Sequence, residues 1–343
     1  MEGSTLTRRH AFKLAGLAGA AVALRGAAAT AQEAQADRIM PPPKKKPLPQ
    51  GAGFYRTHAG DFEVTIVSDG SFQLTPYPTI GSNATKEQVE GLLTENFIEP
   101  SSLMGQVNAL VVRSKDDSLT VIDTGCGKLF GPAAGFFREN FANAGFKVAD
   151  VKNVIFTHLH PDHAGGALDE AGNLLFPNAK YFVHKAEVDF WTGKSPDFSK
   201  SGVPAAMQPT MIGAATKVIT AIGDKLTTFD SATTGEVLPG ITYGFTGGHT
   251  PGHCTIQIKS GDASLHYVGD FIVQSILVLA HPEWLVGFDT DMPLTAERRK
   301  VLFEVLAKDK ALVCGSHLPF PSLGHIKKDG GGYAFVPSLW KWA

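Results

Sequence analysis

The segment His158-Leu159-His160-Pro161-Asp162-His163 holds the densest group of potential metal ligands in the chain. It follows the apolar run 154–156, which predicts a buried strand that ends in a tight loop. Imidazole and carboxylate groups bind divalent transition metals, and two histidines one residue apart can converge on one ion where the loop turns. The Asp162-His163 pair is then free to face a second ion. A purely structural role does not explain four ligand-type residues at this spacing, so the sequence predicts a metal site.

Three further candidate ligands lie downstream at the ends of strand-like stretches. They are His253, Asp270 and His317. Each has glycine nearby, which lets the backbone turn sharply where a strand ends. We expect these side chains to join the first group. His249, four residues before His253, has two interpretations: a hydrogen bond to a ligand or substrate, or stabilisation of the turn.

Strand-like and helix-like segments alternate along the chain. The apolar stretches 107–113 and 118–123 predict a strand pair joined by a short polar turn. Thr85 and Gln88 have the capping-box spacing, so we expect a helix over 85–97. A second helix is predicted over 295–307. This interleaving of strands and helices indicates an α/β fold in which several strand ends carry candidate ligands.

The ligand order resembles that of the metallo-β-lactamase-fold hydrolases, whose pattern is His-x-His-x-Asp-His followed by His, Asp and His. The segment 121–125 also matches that superfamily. The resemblance implies a four-layer αββα sandwich, in which two mixed sheets pack face to face, and two divalent metal ions per chain. It implies that the first ion is held by His158, His160 and His253, the second by Asp162, His163 and His317, and that Asp270 bridges them. Nitrogen and oxygen ligands suit zinc, with manganese, cobalt or iron as alternatives.

Two ions about 3.5–4 Å apart can share a bridging water and lower its pKa toward neutrality, so that hydroxide becomes the nucleophile. Negative charge that develops in the transition state would then fall on the ions. Asp162 and Asp270 would neutralise cation charge, and either is a candidate to pass a proton to the leaving group. Asp123 has two interpretations, a carboxylate that orients a histidine ligand and a carboxylate that caps a loop.

Segments outside the ligands narrow the resemblance to methyl parathion hydrolase and the dihydrocoumarin-type lactonases. This similarity runs over most of residues 53–343. The segments that carry it are 60–65, 129–132, 187–191, 316–326 and 332–337. Such relatives cleave organophosphate triesters, aryl esters and lactones. Because they are often dimers, the resemblance also implies a homodimer.

The chain departs from methyl parathion hydrolase at several pocket positions. Residues 201–204 stand where the phosphotriesterases carry a Phe-Phe pair, Thr79 replaces an arginine, and Phe288 replaces a smaller leucine. We therefore expect a hydrolase of lactones or aryl esters with possible phosphotriester activity, and a dedicated organophosphate triesterase is the alternative. Phe130, Trp191 and Phe288 are candidates to bind substrate in an aromatic pocket, with core packing as the alternative for each.

Residues 1–31 predict an export signal. The segment 7–13 resembles a twin-arginine motif, the apolar stretch 14–24 is too short to span a membrane, and Ala29-Thr30-Ala31 offers a cleavage site. Residues 32–52, rich in proline and lysine, predict an extended linker. These features predict one catalytic domain over 53–343, a periplasmic or secreted location and no stable membrane insertion.

Charge, cysteine count and sequence motifs disfavour several other classes of protein. The formal net charge is −2, which disfavours a nucleic-acid substrate. The three cysteines, Cys126, Cys254 and Cys314, imply no disulfide framework; they are interpreted as small buried residues, with a thiolate ligand or redox switch as the alternative. No glutathione-binding extension or inserted nuclease domain is evident. A non-catalytic periplasmic metal-binding protein remains the alternative from another class.

Overall fold

The computed structural model describes residues 51–341. The predicted signal and nearly all of the predicted linker lie outside these residues. None of the helices between residues 51 and 341 is long and apolar enough to cross a membrane.

Seven strands form the first sheet, and their spatial order is their order along the chain. They are β1 (Phe54–Ala59), β2 (Phe62–Gln73), β3 (Met104–Arg113), β4 (Leu119–Ile122), β5 (Val151–Ile155), β6 (Lys180–His184) and β7 (Leu226–Phe229). Strands β1 to β4 pair antiparallel. Strands β4 to β7 pair parallel, so the sheet is mixed as predicted.

Seven more strands form the second sheet, again in chain order. They are β8 (Thr234–Leu238), β9 (Ile241–Phe245), β10 (Cys254–Ser260), β11 (Ala263–Tyr267), β12 (Val313–Cys314), β13 (Leu323–Asp329) and β14 (Gly332–Pro337). All neighbours pair antiparallel except β11 and β12, which pair parallel. The parallel pair places the ends of β11 and β12 side by side, so that the loops after them emerge together.

Seven α-helices lie within the described residues, and the longer ones cover the outer faces of the sheets. They are α1 (Lys86–Glu95), α2 (Phe137–Asn143), α3 (Pro161–Ala164), α4 (Lys185–Thr192), α5 (Gln208–Ile222), α6 (Leu277–Ala280) and α7 (Met292–Lys308). The predicted capping box is present at α1, where the Thr85 and Gln88 side chains each bond the other's backbone N–H. Reciprocal bonds of this kind satisfy donors that a helix start otherwise leaves free.

Three apolar clusters account for the layers. One lies between the sheets and joins Ile66 and Leu110 of the first to Ile256 of the second. Another packs α2 and α5 on the outside of the first sheet, and the third packs α1 and α7 on the outside of the second. Burial of these faces removes apolar surface from water, which is the main force that holds such layers together. The predicted four-layer αββα sandwich is confirmed.

Candidate metal centre

Loops from both sheets bring two sets of ligand atoms together at one end of the sandwich. His158 and His160 lie in the loop after β5, Asp162 and His163 lie in the short helix α3 that follows it, and single residues come from the segments after β9, β11 and β12. Within each set, one ligand atom per residue lies within 4.8 Å of the others. The first set is His158, His160, His249 and Asp270, and the second set is Asp162, His163, His317 and Asp270. Asp270 is therefore shared between them.

The first set is built around His249. Its Nε2 lies 3.2 Å from Nε2 of His158, 2.9 Å from Nδ1 of His160 and 3.3 Å from Oδ2 of Asp270. All four residues are buried. Three imidazole nitrogens and one carboxylate oxygen that converge in this way form the donor set that zinc and similar divalent ions prefer.

The second set is arranged around the other side of Asp270. Its Oδ1 lies 3.0 Å from Nε2 of His163, and its Oδ2 lies 3.1 Å from Nε2 of His317. Asp162 Oδ2 is 3.4 Å from the same His317 nitrogen. Among the described residues, His163 Nε2 and Asp270 Oδ1 are buried, and although they lie 3.0 Å apart, neither makes a hydrogen bond of proper geometry. Buried polar atoms are normally satisfied, so these orphaned atoms fit a site built for a cation.

The predicted role of His253 is corrected by this geometry. His253 Nδ1 contacts the Thr246 hydroxyl at 2.6 Å, and its Nε2 accepts the backbone N–H of Asp270 at 3.1 Å. Because both ring nitrogens are already engaged, His253 supports Asp270 and does not face the ions. His249 takes its place in the first set. The only signal for this in the sequence was that both histidines flank one turn.

The ligand histidines are oriented by hydrogen bonds at their other nitrogen. His158 Nδ1 contacts Thr157 Oγ1 at 3.0 Å, His163 Nδ1 contacts Asp123 Oδ2 at 2.8 Å, His249 Nδ1 contacts Asp289 Oδ1 at 2.7 Å, and His317 Nδ1 contacts the Gln106 carbonyl at 2.5 Å. Such contacts fix the tautomer that turns Nε2 toward the ions.

Asp123 combines the two roles considered for it. Besides contacting His163, it accepts the Thr157 N–H at 2.9 Å and the Thr157 hydroxyl at 2.8 Å. It therefore orients one ligand and also holds the start of the ligand loop. Asp123 adopts a φ of 58°, a left-handed conformation that aspartate tolerates better than most residues.

Asp289 and Arg299 form a buried ion pair behind His249 that the sequence analysis missed. Arg299 Nη2 donates to Asp289 Oδ2 at 3.2 Å, and Nη1 donates to the Trp284 carbonyl at 2.9 Å. Neither side chain is exposed. Arg299 lies on α7 among other charged residues, so its sequence position suggests a solvent-facing side chain and does not reveal that it is buried.

The carboxylates favour positive charge in the centre. Burial lowers the pKa of His158 and His160 well below the usual histidine value. Burial also acts on His249, but contacts with Asp270 and Asp289 outweigh it and raise the pKa to about 9. For Asp270 itself, burial is outweighed by neighbouring histidines, which hold its pKa well below the ordinary aspartate range. A bound divalent cation would draw on the same attraction.

A cavity of about 340 Å³ opens onto both ligand sets. Its base is formed by His160, Asp162, Asp270 and His317, and its walls are mostly apolar. The apolar wall residues include Phe72, Leu74, Ile80, Leu129, Phe130, Met207, Met211, Val273 and Phe288. Phe130 and Phe288, two of the residues predicted to bind substrate, therefore line this cavity. Phe72, which lies 5.0 Å from Phe130 between ring centroids, was missed.

Trp191 does not line this cavity. It is 1% exposed, its indole N–H donates to Glu187 Oε2 at 2.7 Å, and its ring meets the His160 ring edge-on. Its predicted role in binding substrate is therefore corrected, because the side chain lies in the core behind the ligand. The cysteines are likewise buried and belong to neither set. Burial raises the pKa of Cys314 to about 12, so it stays a neutral thiol at physiological pH.

Known proteins resemble this chain in both sequence and fold. A model of the metallo-beta-lactamase superfamily matches residues 103–317. The structure is similar to that of AidC, described as a dizinc quorum-quenching lactonase in complex with a product, with 31% identity and a TM-score of 0.79 over 84% of this chain and 98% of that chain. It is also similar to hydrolase AbOPH of the beta lactamase superfamily, with 29% identity and a TM-score of 0.77 over 85% of this chain and 100% of that chain.

A curated relative is an N-acyl homoserine lactonase from a Bacillus species, 29% identical over 176 residues. That match covers 50% of this chain, and the chain spans 58% of the length of that relative. The family match covers more than half of the chain and contains every residue of both ligand sets. The chain therefore belongs to the metallo-β-lactamase superfamily.

Proposed function

We propose that this protein is a dinuclear metal-dependent hydrolase that opens lactones and cleaves aryl esters, with phosphotriesters as secondary substrates. The observation that carries the proposal is Asp270, which is shared by two complete ligand sets at the base of an apolar cavity. Zinc is the proposed metal. The nitrogen and oxygen donors support it, as does the similarity to a dizinc lactonase.

Two divalent ions bound at these sets would supply Lewis acidity and an activated water at neutral pH, so no serine or cysteine nucleophile is needed. His158, His160 and His249 would hold the first ion, and Asp162, His163 and His317 the second. Asp270 belongs to both ligand sets, and its two carboxylate oxygens lie within 3.1 Å of histidines of the second set. It would therefore link the two metal sites.

Asp162 is the proposed carrier of a proton to the leaving group. It lines the cavity, and its side chain is 13% exposed, compared with 5% for Asp270. Its carboxylate therefore has access to a bound substrate as well as to the second ligand set. A general acid must lie within hydrogen-bond reach of the leaving atom, directly or through one water, and the greater exposure of Asp162 supports it over the more enclosed Asp270.

The cavity favours neutral substrates with an apolar group. No lysine or arginine is among the residues that line it within the described part of the chain. Its volume of about 340 Å³ suits a small lactone or aryl ester. The lactonase relatives support lactones as substrates, and the neutral lining also admits a phosphotriester. Membership of the methyl parathion hydrolase and dihydrocoumarin-type lactonase group is part of the proposal, supported by the segments that resemble it.

Two further parts of the proposal concern location and assembly. The twin-arginine-like segment 7–13 and the Ala29-Thr30-Ala31 site support export to the periplasm or beyond. The resemblance to methyl parathion hydrolase and the dihydrocoumarin-type lactonases supports a homodimer. Fractionation of cells that express the full chain, followed by light scattering of the purified protein, tests both.

The activity is tested with initial rates of the zinc-loaded protein on dihydrocoumarin, an acyl homoserine lactone, p-nitrophenyl acetate and methyl paraoxon, with Asp270→Ala alongside. We expect lactone or ester to lead in kcat/KM by about a hundredfold, and the variant to be inactive on all four. A lead by the phosphotriester would instead indicate a dedicated organophosphate triesterase. Two bound ions with no turnover of any substrate would favour a non-catalytic metal-binding protein.

A further inference from the structure

One buried carboxylate outside both ligand sets joins the two loops that carry the first set. Glu187 lies in the first turn of α4 and is fully buried. Its Oε1 accepts the backbone N–H of Gly252 at 2.8 Å, and its Oε2 accepts the backbone N–H of Leu159 at 3.0 Å. Leu159 lies between His158 and His160, and Gly252 closes the loop that carries His249.

We propose that Glu187 and Trp191 form a positioning unit that sets the spacing of the first metal-ligand set. The inference rests on the proposed dinuclear centre and adds a role for two residues that touch neither substrate nor metal. A single carboxylate that binds one N–H from each loop fixes their separation, because both bonds are short and directional.

The surroundings of His160 show why the positioning unit includes Trp191 as well as Glu187. The other four histidines of the two sets have a polar partner at the nitrogen remote from the ions. His160 Nε2, by contrast, is buried with no such partner in the described part of the chain. Its ring instead lies against Trp191, with 5.7 Å between ring centroids and 69° between the planes. Packing against Trp191 thus orients the His160 ring, whereas hydrogen bonds orient the other four histidines.

The same carboxylate also fixes Trp191. The indole N–H donates to Glu187 Oε2 at 2.7 Å across one turn of α4. Glu187 therefore acts on all three histidines of the first set. It binds the backbone between His158 and His160 and the backbone of the loop that carries His249. Through Trp191 it also fixes the ring that packs against His160. Within residues 51–341, neither Glu187 nor Trp191 makes a side-chain hydrogen bond to Asp162, His163 or His317.

Close packing at Gly252 supports a fixed separation of the loops. A Cβ added at Gly252 would lie 2.5 Å from the Glu187 backbone nitrogen and 2.8 Å from its Cγ. Contacts this short exclude any side chain, so glycine alone lets the loop reach the start of α4. The loop therefore has little freedom to move relative to the carboxylate that binds it.

The test compares Glu187→Gln with wild type in competitive zinc titrations, with both proteins expressed as the full chain and purified in the form that the cells produce. The amide keeps the size of the side chain but turns an NH₂ group toward one of the three N–H donors. We expect the affinity for the first ion to fall about 10–100-fold and the affinity for the second to stay unchanged. Cobalt loading provides an independent readout, since the visible spectrum of the first site should change selectively.

Asp69→Asn is the matched control. Asp69 is also a fully buried carboxylate that accepts two backbone N–H groups, from Cys126 at 2.8 Å and Phe137 at 2.7 Å. The segments it joins carry no member of the first ligand set and no contact to Glu187 or Trp191 within the described residues. Asp69→Asn should therefore lower the free energy of unfolding of the metal-free protein without changing the affinity for the first ion. Equal losses of zinc affinity in the two variants would overturn the inference, because general destabilisation would then explain them.

Trp191→Phe keeps the test decisive if Glu187→Gln does not fold. It retains a smaller ring beside His160 and removes the N–H bond to Glu187 together with part of the indole, so a weaker loss of affinity for the first ion is expected. Wild-type affinity in each variant that folds would overturn the positioning role and leave the proposed function intact. Failure of the wild-type protein to bind two ions would instead overturn the proposed function, and this inference with it.

Discussion

Arg299→Met should cost more stability than most single substitutions because it leaves a buried carboxylate without its cation. Arg299 and Asp289 are both fully buried, 3.2 Å apart, and Arg299 also donates to the Trp284 carbonyl at 2.9 Å. Methionine fills much of the same space but carries no donor. The variant therefore keeps most of the packing and removes the charge and its hydrogen bonds.

The expected loss follows from these contacts. Breaking a buried ion pair by removing one partner costs about 3–5 kcal/mol. The unsatisfied Trp284 carbonyl adds to the loss, and the apolar methionine offsets part of it. Adding Asp289→Asn removes the stranded charge while leaving an amide oxygen for His249 Nδ1. The double variant should then lose less than the sum of the two single variants, with a coupling energy of about 0.5–3 kcal/mol.

Urea unfolding of the metal-free proteins, followed by tryptophan fluorescence, measures these free energies without a contribution from zinc binding. Lys328→Met is the control, since Lys328 pairs with Glu304 at 2.8 Å on the surface. Water replaces an exposed partner, so this variant should unfold like wild type. Wild-type stability of Arg299→Met, or strictly additive losses in the double variant, would refute the role assigned to the buried pair.

Three further predictions follow from the site. The metal-free protein should be most stable near pH 6.5: the depressed pKa of histidines such as His158 removes stability as pH falls below that value, and the pKa of His249, raised to about 9, removes stability as pH rises toward 9. Urea midpoints between pH 5 and 10 measure this, and a midpoint that rises steadily to pH 9 would contradict it. Phe288→Ala should raise KM for aryl esters about tenfold and leave kcat unchanged, because it removes a cavity wall and no reacting group; an equal loss in kcat would show that Phe288 acts in the chemical step. Gly269→Ala should reduce zinc content, since its Cβ would lie 2.6 Å from His253 Nε2 beside Asp270, whereas Gly330→Ala, with a similar positive φ and open space around it, should not.

The central strands were predictable from sequence, and the edge strands were not. Residues 107–112 of β3 and all of β4 are buried, and β5 ends in the buried apolar pair Val154-Ile155, so these strands stand out as hydrophobic segments. Strands β7, β8 and β14 lie at the edges of their sheets and are largely half-exposed or exposed. An edge strand needs only a weak apolar pattern because one side faces solvent, so its sequence resembles a loop.

The residues of the metal centre also differ in how well the sequence predicts them. The four ligands that follow β5 lie within six residues of one another, so their types and spacing are enough to predict a metal site. The choice between His249 and His253 depends on which side of one turn faces the ions, which no spacing decides. Asp289, Arg299 and Glu187 act through contacts with residues far away in sequence, at separations of 10 to 65 residues. Such partners become visible only once the chain is folded.

Anomalous scattering from zinc-loaded crystals, recorded on both sides of the zinc absorption edge, tests the central claim most directly. We predict two zinc peaks per chain, one bonded to His158, His160 and His249 and the other to Asp162, His163 and His317. The Asp270 carboxylate should contact both peaks, and His253 should contact neither. A single peak, or a zinc ion bonded to His253 in place of His249, would contradict the dinuclear centre described above.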